Sequence, residues 1–333
     1  MGQNSFSFPL QSMRKRTSLT MSRTNGVVNV GRVLPVTVLL AAVVLANWLV
    51  APDSMSNFGL ELLLAPAIPV ALASLAQMFV VLAGDFDVGV GSAVGLVNVI
   101  SATLLVNHTV LAVGVLLLVV AGYVSIAIIR EYTGVPTVVL TLGASFIWLG
   151  IGLEMQATPG GVSPAWLTNA LGRSLPVIPE PIYIVVFLIV AATLLLRRWR
   201  YGVVLRGLGS SAEAVSEAGR SSRLPRLVLW AIAGVCVVLA GLFVTVVSGG
   251  SDVNASTTLT LSSFATLVVG GCEMSGGVVE PAGVVLASMA FALISSLLTF
   301  ENISSSWVTA VTGIILIAAM SIRRLLSKGV HSE

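Results

Sequence analysis

Two stretches of the chain place acid among glycines where an apolar run breaks off. Residues 80–92 read Val-Val-Leu-Ala-Gly-Asp-Phe-Asp-Val-Gly-Val-Gly-Ser, and residues 267–277 read Leu-Val-Val-Gly-Gly-Cys-Glu-Met-Ser-Gly-Gly. A second apolar run follows each. Glycine-broken hydrophobic segments at matching places in two halves mark a membrane transporter built from internal repeats, whose irregular backbone lines a cavity. The chemistry on offer is therefore binding and gating of a solute. The candidate gate or pathway residues are Gly84, Asp85, Asp87, Gly89 and Gly91 in the first stretch, and Gly270, Gly271, Glu273, Gly276 and Gly277 in the second. Glycine permits positive φ and close helix approach. The carboxylates have a plainer alternative, capping helix ends at the membrane interface. Trp148, Trp166 and Trp307 could stack on a solute, but their places near span ends suit interfacial anchors better, as does that of His108.

These stretches must be held by spanning helices. Of the 333 residues 56% are hydrophobic and only 9% charged, and mean hydropathy is +1.02, far from a soluble domain at about 25% charge. The expected fold is an all-α integral membrane domain of about ten transmembrane helices with two internal repeats. Spans are expected at 33–50, 60–82, 91–107, 109–129, 135–153, 182–198, 227–247, 259–272, 279–299 and 305–322, in one polytopic domain over 33–325. Residues 1–32 read as a disordered basic tail without a cleavable signal, and 326–333 as a C-terminal tail. Cys236 and Cys272 fall in or beside apolar runs without metal-ligand spacing, so no disulfide framework and no cofactor is expected.

Ten spans put both termini on one side. Every Lys and Arg except Arg173 then falls on that side, which makes it cytoplasmic by the positive-inside rule. The basic residues sit where topology wants them, so the net charge of +3 calls for no nucleic-acid partner. Residues 154–181, rich in Pro and Gly, suit an irregular external loop near a substrate entrance. Residues 199–226 face inside and contain a helix-compatible stretch, Ser211 to Ala218, with a serine to cap its start and Gly219 to end it. That segment is either a helix that docks into a partner or a merely topogenic basic loop.

The energy source separates transporter classes. A P-loop needs Gly-x-x-x-x-Gly-Lys-Ser/Thr, and the lysines, Lys15 and Lys328, stand in no such setting. Every Asp, Glu and His sits at a span end, in a loop or in a glycine-broken stretch, which weakens ion coupling without excluding it. A separate ATPase subunit is the better explanation. The alternatives are a secondary carrier or channel working alone and an intramembrane enzyme, for which no His/Glu metal pattern or Ser-His pairing occurs inside the spans.

With these residues in view the chain resembles the permease subunits of ABC importers of the ribose and autoinducer-2 type. Gly84-Asp-Phe-Asp-Val-Gly-Val-Gly-Ser92 is similar to that family's Gly-Gly-Ile-Asp-Leu-Ser-Val-Gly-Ser. Gly134-Val-Pro-Thr-Val-Val-Leu-Thr-Leu-Gly143 resembles its Val-Pro-Pro-Phe-Ile-Val-Thr-Leu-Gly segment. Gly209-Ser-Ser-Ala-Glu-Ala-Val-Ser-Glu-Ala-Gly219 resembles its coupling loop, and Val268-Val-Gly-Gly-Cys-Glu-Met-Ser-Gly-Gly277 its Ile-Gly-Gly-Thr-Ser-Leu-Ser-Gly-Gly. The four segments occur in family order. Asp85, Gly89, Ser211 and Cys272-Glu273 depart from the pattern. The resemblance implies an ABC importer permease fold in the bacterial inner membrane and import of a sugar or sugar-like molecule. It also implies a second permease subunit, identical or not, cytoplasmic ATPase subunits and an extracytoplasmic binding protein. It assigns no covalent chemistry to this chain, and it makes Arg206, Gly209, Ser211, Glu213, Ala214 and Gly219 the contact with the ATPase.

Overall fold

The computed structural model describes residues 30–171, 179–198, 209, 223–274 and 276–301, together with Trp307, Ala310, Val311, 313–315 and Ile317. The described residues form helices and their connections, with no strand among them beyond one antiparallel bridge between Gly160 and Ser251. In chain order the α-helices are α1 (Val30–Val50), α2 (Asn57–Leu64), α3 (Ala67–Leu82), α4 (Val90–Asn107), α5 (Thr109–Thr133), α6 (Thr137–Met155), α7 (Ala165–Leu171), α8 (Glu180–Arg198), α9 (Arg223–Ser248), α10 (Thr258–Val269) and α11 (Pro281–Phe300). Each expected span up to residue 299 coincides with helix, and in the last, 305–322, the described residues are helical.

Seven of the described helical stretches are long and apolar enough to cross a membrane, while Glu180–Leu196 and Ala255–Val269 are shorter apolar helices. The expected span 60–82 is broken between α2 and α3. Pro66 and Pro69 each lack the N–H that a continuous helix would use there. The stretch 154–181, expected to be irregular, contains α7, whose first turn is closed by Leu167 N and Thr168 N on Pro164 O.

The helices divide by what covers them. All of α3 except Val70 is buried, as is most of α4, and α9 packs on α3, α4 and α5. Trp230, Tyr123, Phe79, Met78 and Leu229 lie in the same core. In contrast α1, α5 and α6 turn Leu34, Val38, Leu49, Val110, Leu117, Leu118, Val139, Phe146 and Ile147 outward. Apolar outer faces around a tightly packed interior are what a bundle needs when its solvent is lipid. Trp148 lies in α6 and packs against the core. Its ring fills the notch left by Gly122, where an added Cβ would lie 2.9 Å from Trp148 Cζ2.

The irregular backbone clusters at the two ends of the bundle. At one end Asn98 of α4 has every amide atom engaged, with Nδ2 donating to Thr245 Oγ1 and Gly250 O (both 2.9 Å) and Oδ1 accepting from Asp252 N (3.0 Å). Ser251 binds back to Gly160 and Gln156 there. At the other end lie the two glycine-rich stretches.

Candidate functional site

The two stretches end their helices with the same backbone turn. In the first, Gly84 N donates to Val81 O (2.9 Å) and Asp85 N to Val80 O (3.2 Å), with Gly84 at φ 77°. In the second, Gly271 N donates to Val268 O (3.3 Å) and Cys272 N to Leu267 O (3.1 Å), with Gly271 at φ 97°. This paired bonding satisfies the last carbonyls of a helix and requires a left-handed residue, which glycine adopts without Cβ strain. Val80, Val81, Gly84 and Asp85 thus correspond one for one to Leu267, Val268, Gly271 and Cys272. The two stretches thus share the turn by which each helix ends, a common helix C-terminus.

Beyond the turns the chain cannot return to helix at once, and its polar groups need partners inside a dry bundle. Neighbouring helices supply them. Thr137 and Thr141 of α6 accept from Phe86 N (3.2 Å) and Val88 N (3.1 Å). Thr260 of α10 accepts from Gly91 N (3.0 Å). Gln77 of α3, with its amide oriented to serve both, donates to Asp87 O (3.0 Å) and accepts from Asp87 N (3.2 Å). In the second stretch Glu273 N closes a small loop onto Val278 O (3.0 Å), and Gly276 N reaches Glu273 O (3.1 Å).

The acids differ sharply in setting. Asp87 lies between α3 and α4, 3% exposed. Its Oδ1 accepts from Gly89 N (2.7 Å) and its Oδ2 from the Tyr123 hydroxyl (2.8 Å). Burial pushes the carboxyl up to about 6, against the opposing pull of those two hydrogen bonds. Asp85, 1% exposed, faces cations instead. Arg130 Nε stands 3.0 Å from Oδ1, Arg226 Nε 3.3 Å from Oδ2, and Trp230 Nε1 donates to Oδ2 (3.1 Å). Burial raises this group too, opposed by Arg226, Arg130 and the indole. Arg226 Nε has no aligned hydrogen bond, so its link to Asp85 is an ion pair by proximity. Glu131 completes the network by pairing with Arg226, with Arg130 (3.8 Å) and with Arg223 (3.5 Å). Glu273 is more open and pairs with Arg32 at the start of α1 (3.1 Å).

Gly209 also packs at this end of the bundle. Gly209 lies so close to the second glycine stretch that an added Cβ would strike Gly277 N and come within 2.6 Å of Leu82 O. Reciprocally, a Cβ on Gly276, itself at φ 89°, would lie 2.9 Å from Gly209 Cα. Arg206, Ser211, Glu213, Ala214 and Gly219 lie outside the described residues.

The second stretch and the Gly84–Asp85 turn gather at one end of the bundle with Gly209, while the first stretch runs on from there into the bundle. Gly89 and Gly91 sit against Thr141 and Ser256, and Gly270 against Gly283. Sequence reasoning missed the partners: Gln77, Tyr123, Glu131, Thr137, Thr141, Trp230 and Thr260. It had counted Arg130, Arg223 and Arg226 only as topogenic charge. A polar Gln77 inside an apolar run and Thr137/Thr141 one helical turn apart were the available signals.

Comparison with known proteins gives this architecture its relatives. No solved structure matches the chain. The probable ABC transporter permease protein YphD of Escherichia coli is 27% identical over 87% of this chain and 89% of its own. The galactofuranose transporter permease YtfT of the same organism is 26% identical over 73% and 75%. The galactose/methyl galactoside import permease MglC of Salmonella typhimurium is 25% identical over 95% and 98%. Residues 59–320 match the family described as branched-chain amino acid transport system / permease component. The chain belongs to that family and is a multi-pass membrane permease of the ABC transporter class.

Proposed function

We propose that this permease is the membrane-spanning subunit of an importer driven by a separate ATPase, that its cargo is a sugar or sugar-like molecule, and that it works in the ribose and autoinducer-2 manner suggested by its motifs. The relatives named for galactofuranose and galactose support the cargo class. The termini are cytoplasmic, which places the two glycine turns and Gly209 on the inner side. A second permease subunit completes the pathway, and a binding protein delivers cargo from outside. Gly84, Asp85, Asp87, Gly89, Gly91, Gly270, Gly271, Glu273, Gly276 and Gly277 form the inner gate. Most of these residues act as a framework, because Asp85 and Asp87 are buried and partnered and are not held out toward a solute.

The observation that carries this reading is the meeting of Gly209 with the second glycine turn and the end of α3. A segment docked on the gate from the inner side is what an ATPase must push. Residues 206–219 are its contact surface. A Pro at Ala214 costs a helix roughly 3 kcal/mol and leaves the spans alone. The Ala214→Pro permease is expected to insert normally and to lose co-purification of its ATPase. Normal co-purification would reduce the segment to a topogenic loop. Reporter fusions at Arg130 reading cytoplasmic and at residues 160–170 reading external test the orientation.

A further inference from the structure

Where α5 ends and α9 begins, arginines outnumber the acids that face them. Among the described residues Arg130, Arg223 and Arg226 share two carboxylates, those of Asp85 and Glu131. Arg226 is 3% exposed and lies between both acids, and Arg130 stands 3.0 Å from Asp85, so these two arginines take up the neutralising charge. Arg223 is left on the outside. It is 65% exposed, and its carboxylate neighbour Glu131, 3.5 Å away, is already paired with the other two. The first turn of α9 holds no acid to offset it. We propose that Arg223 and Tyr132 form a binding site for the phosphate headgroup of an anionic phospholipid.

The surroundings select a lipid over a soluble anion. Both α5 and α9 are long and apolar enough to span the bilayer, so Tyr132 in the last turn of one and Arg223 at the start of the other stand at the membrane surface. Tyr132 is 77% exposed, and the Arg223 guanidinium lies 5.8 Å from the centre of its ring. That contact holds the cation beside an amphipathic ring of the kind that settles at headgroup level. One turn further into the bilayer Ile128 and Ile129 are exposed on the same face of α5 as Tyr132, and Leu224 is exposed beside Arg223. Charge and apolar surface thus adjoin in the order in which a phospholipid presents its phosphate and its acyl chains. Basic sites between spanning helices hold anionic headgroups in this way. The inference requires only that the chain is a membrane protein. It depends neither on the cargo nor on how the permease meets its ATPase.

The test uses the full-length permease in a neutral detergent. It is incubated with phosphatidylglycerol or with phosphatidylcholine of the same acyl chains, and native mass spectrometry counts the lipid retained by each chain. Phosphatidylglycerol is expected to be retained in preference to phosphatidylcholine. Arg223→Ala should weaken that retention about fivefold, the worth of one arginine at an anionic membrane surface, and Arg223→Lys, which keeps the charge, should restore most of it. Equal retention of the two lipids would overturn the proposal, as would an Arg223→Ala protein that holds phosphatidylglycerol as well as the parent does. Displacement of the lipid by inorganic phosphate, but not by chloride at the same ionic strength, would show a site for a soluble anion and contradict the assignment to lipid. An Arg223→Ala protein that keeps its lipid and loses its ATPase would make the patch a protein contact, which also contradicts it. If Arg223→Ala does not insert, Tyr132→Leu removes the ring and hydroxyl at an exposed position. It must lower phosphatidylglycerol retention several-fold, and unchanged retention counts against the site.

Discussion

Asp87→Asn should make the permease more stable at neutral pH, and the structure sets the size. The carboxyl lies in the loop between α3 and α4, buried, with a value pushed up to about 6 from the ordinary 3.8. Two units at about 1.4 kcal/mol each give roughly 3 kcal/mol as the cost of holding the charge in the folded state at pH 7. The sign follows from linkage. A carboxyl raised on folding binds protons better in the native state, so its stabilising contribution is complete below the unfolded value and is lost as pH rises through about 6. Asparagine removes the charge and keeps both bonds. Its Oδ1 still accepts from Gly89 N, and the Tyr123 hydroxyl turns to accept from Nδ2 instead of donating. The assay is thermal unfolding of the detergent-solubilised protein and its Asp87→Asn variant across roughly pH 5 to 8. The difference between the two isolates this one group from all others that titrate. The variant should gain on the parent as pH rises and hold a constant advantage of up to about 3 kcal/mol above pH 7. A difference that does not change with pH, or a variant less stable at pH 7 than at pH 5 relative to the parent, would refute the argument.

Two further substitutions probe the turns. Gly276→Ala forces a side chain into a left-handed residue at about 1–2 kcal/mol and presses its Cβ against Gly209; unfolding should shift to lower temperature, and ATPase co-purification should weaken as Gly209 is displaced. Thr141→Val keeps the shape of the side chain but removes the acceptor for Val88 N, leaving a partly buried N–H unpaired at about 1–3 kcal/mol; the same melting assay reads it, and a loss below about 0.3 kcal/mol would mean that the threonine does not brace the turn.

What the sequence made legible was whatever a single residue type dictates locally. The spans follow from hydropathy, and the turns follow from glycine, because Gly84 and Gly271 occupy a conformation that other residues avoid. The break between α2 and α3 went unread although Pro66 and Pro69 were visible, since a lone span-length apolar run outweighs two prolines near its start. The bracing of the turns was hidden for a different reason. Its partners are remote in sequence, with Trp230 145 residues from Asp85 and Thr137 51 from Phe86, and no periodicity links such residues. The arginines misled most. Arg130 and Arg226 obey the positive-inside pattern so well that their charge needed no second explanation, yet their guanidiniums lie against Asp85. The notch at Gly122 that receives the Trp148 ring was hidden for the same reason, its two residues lying on different helices.

The most direct test of the account is uptake into liposomes. The permease is reconstituted alone and, separately, with the proposed ATPase, second permease subunit and binding protein, the last loaded with whichever radiolabelled sugar it binds. The account expects concentrative uptake in the complete assembly when ATP is enclosed with the ATPase, and none from the permease alone under any ion gradient. Ion-driven accumulation by the permease alone would contradict it.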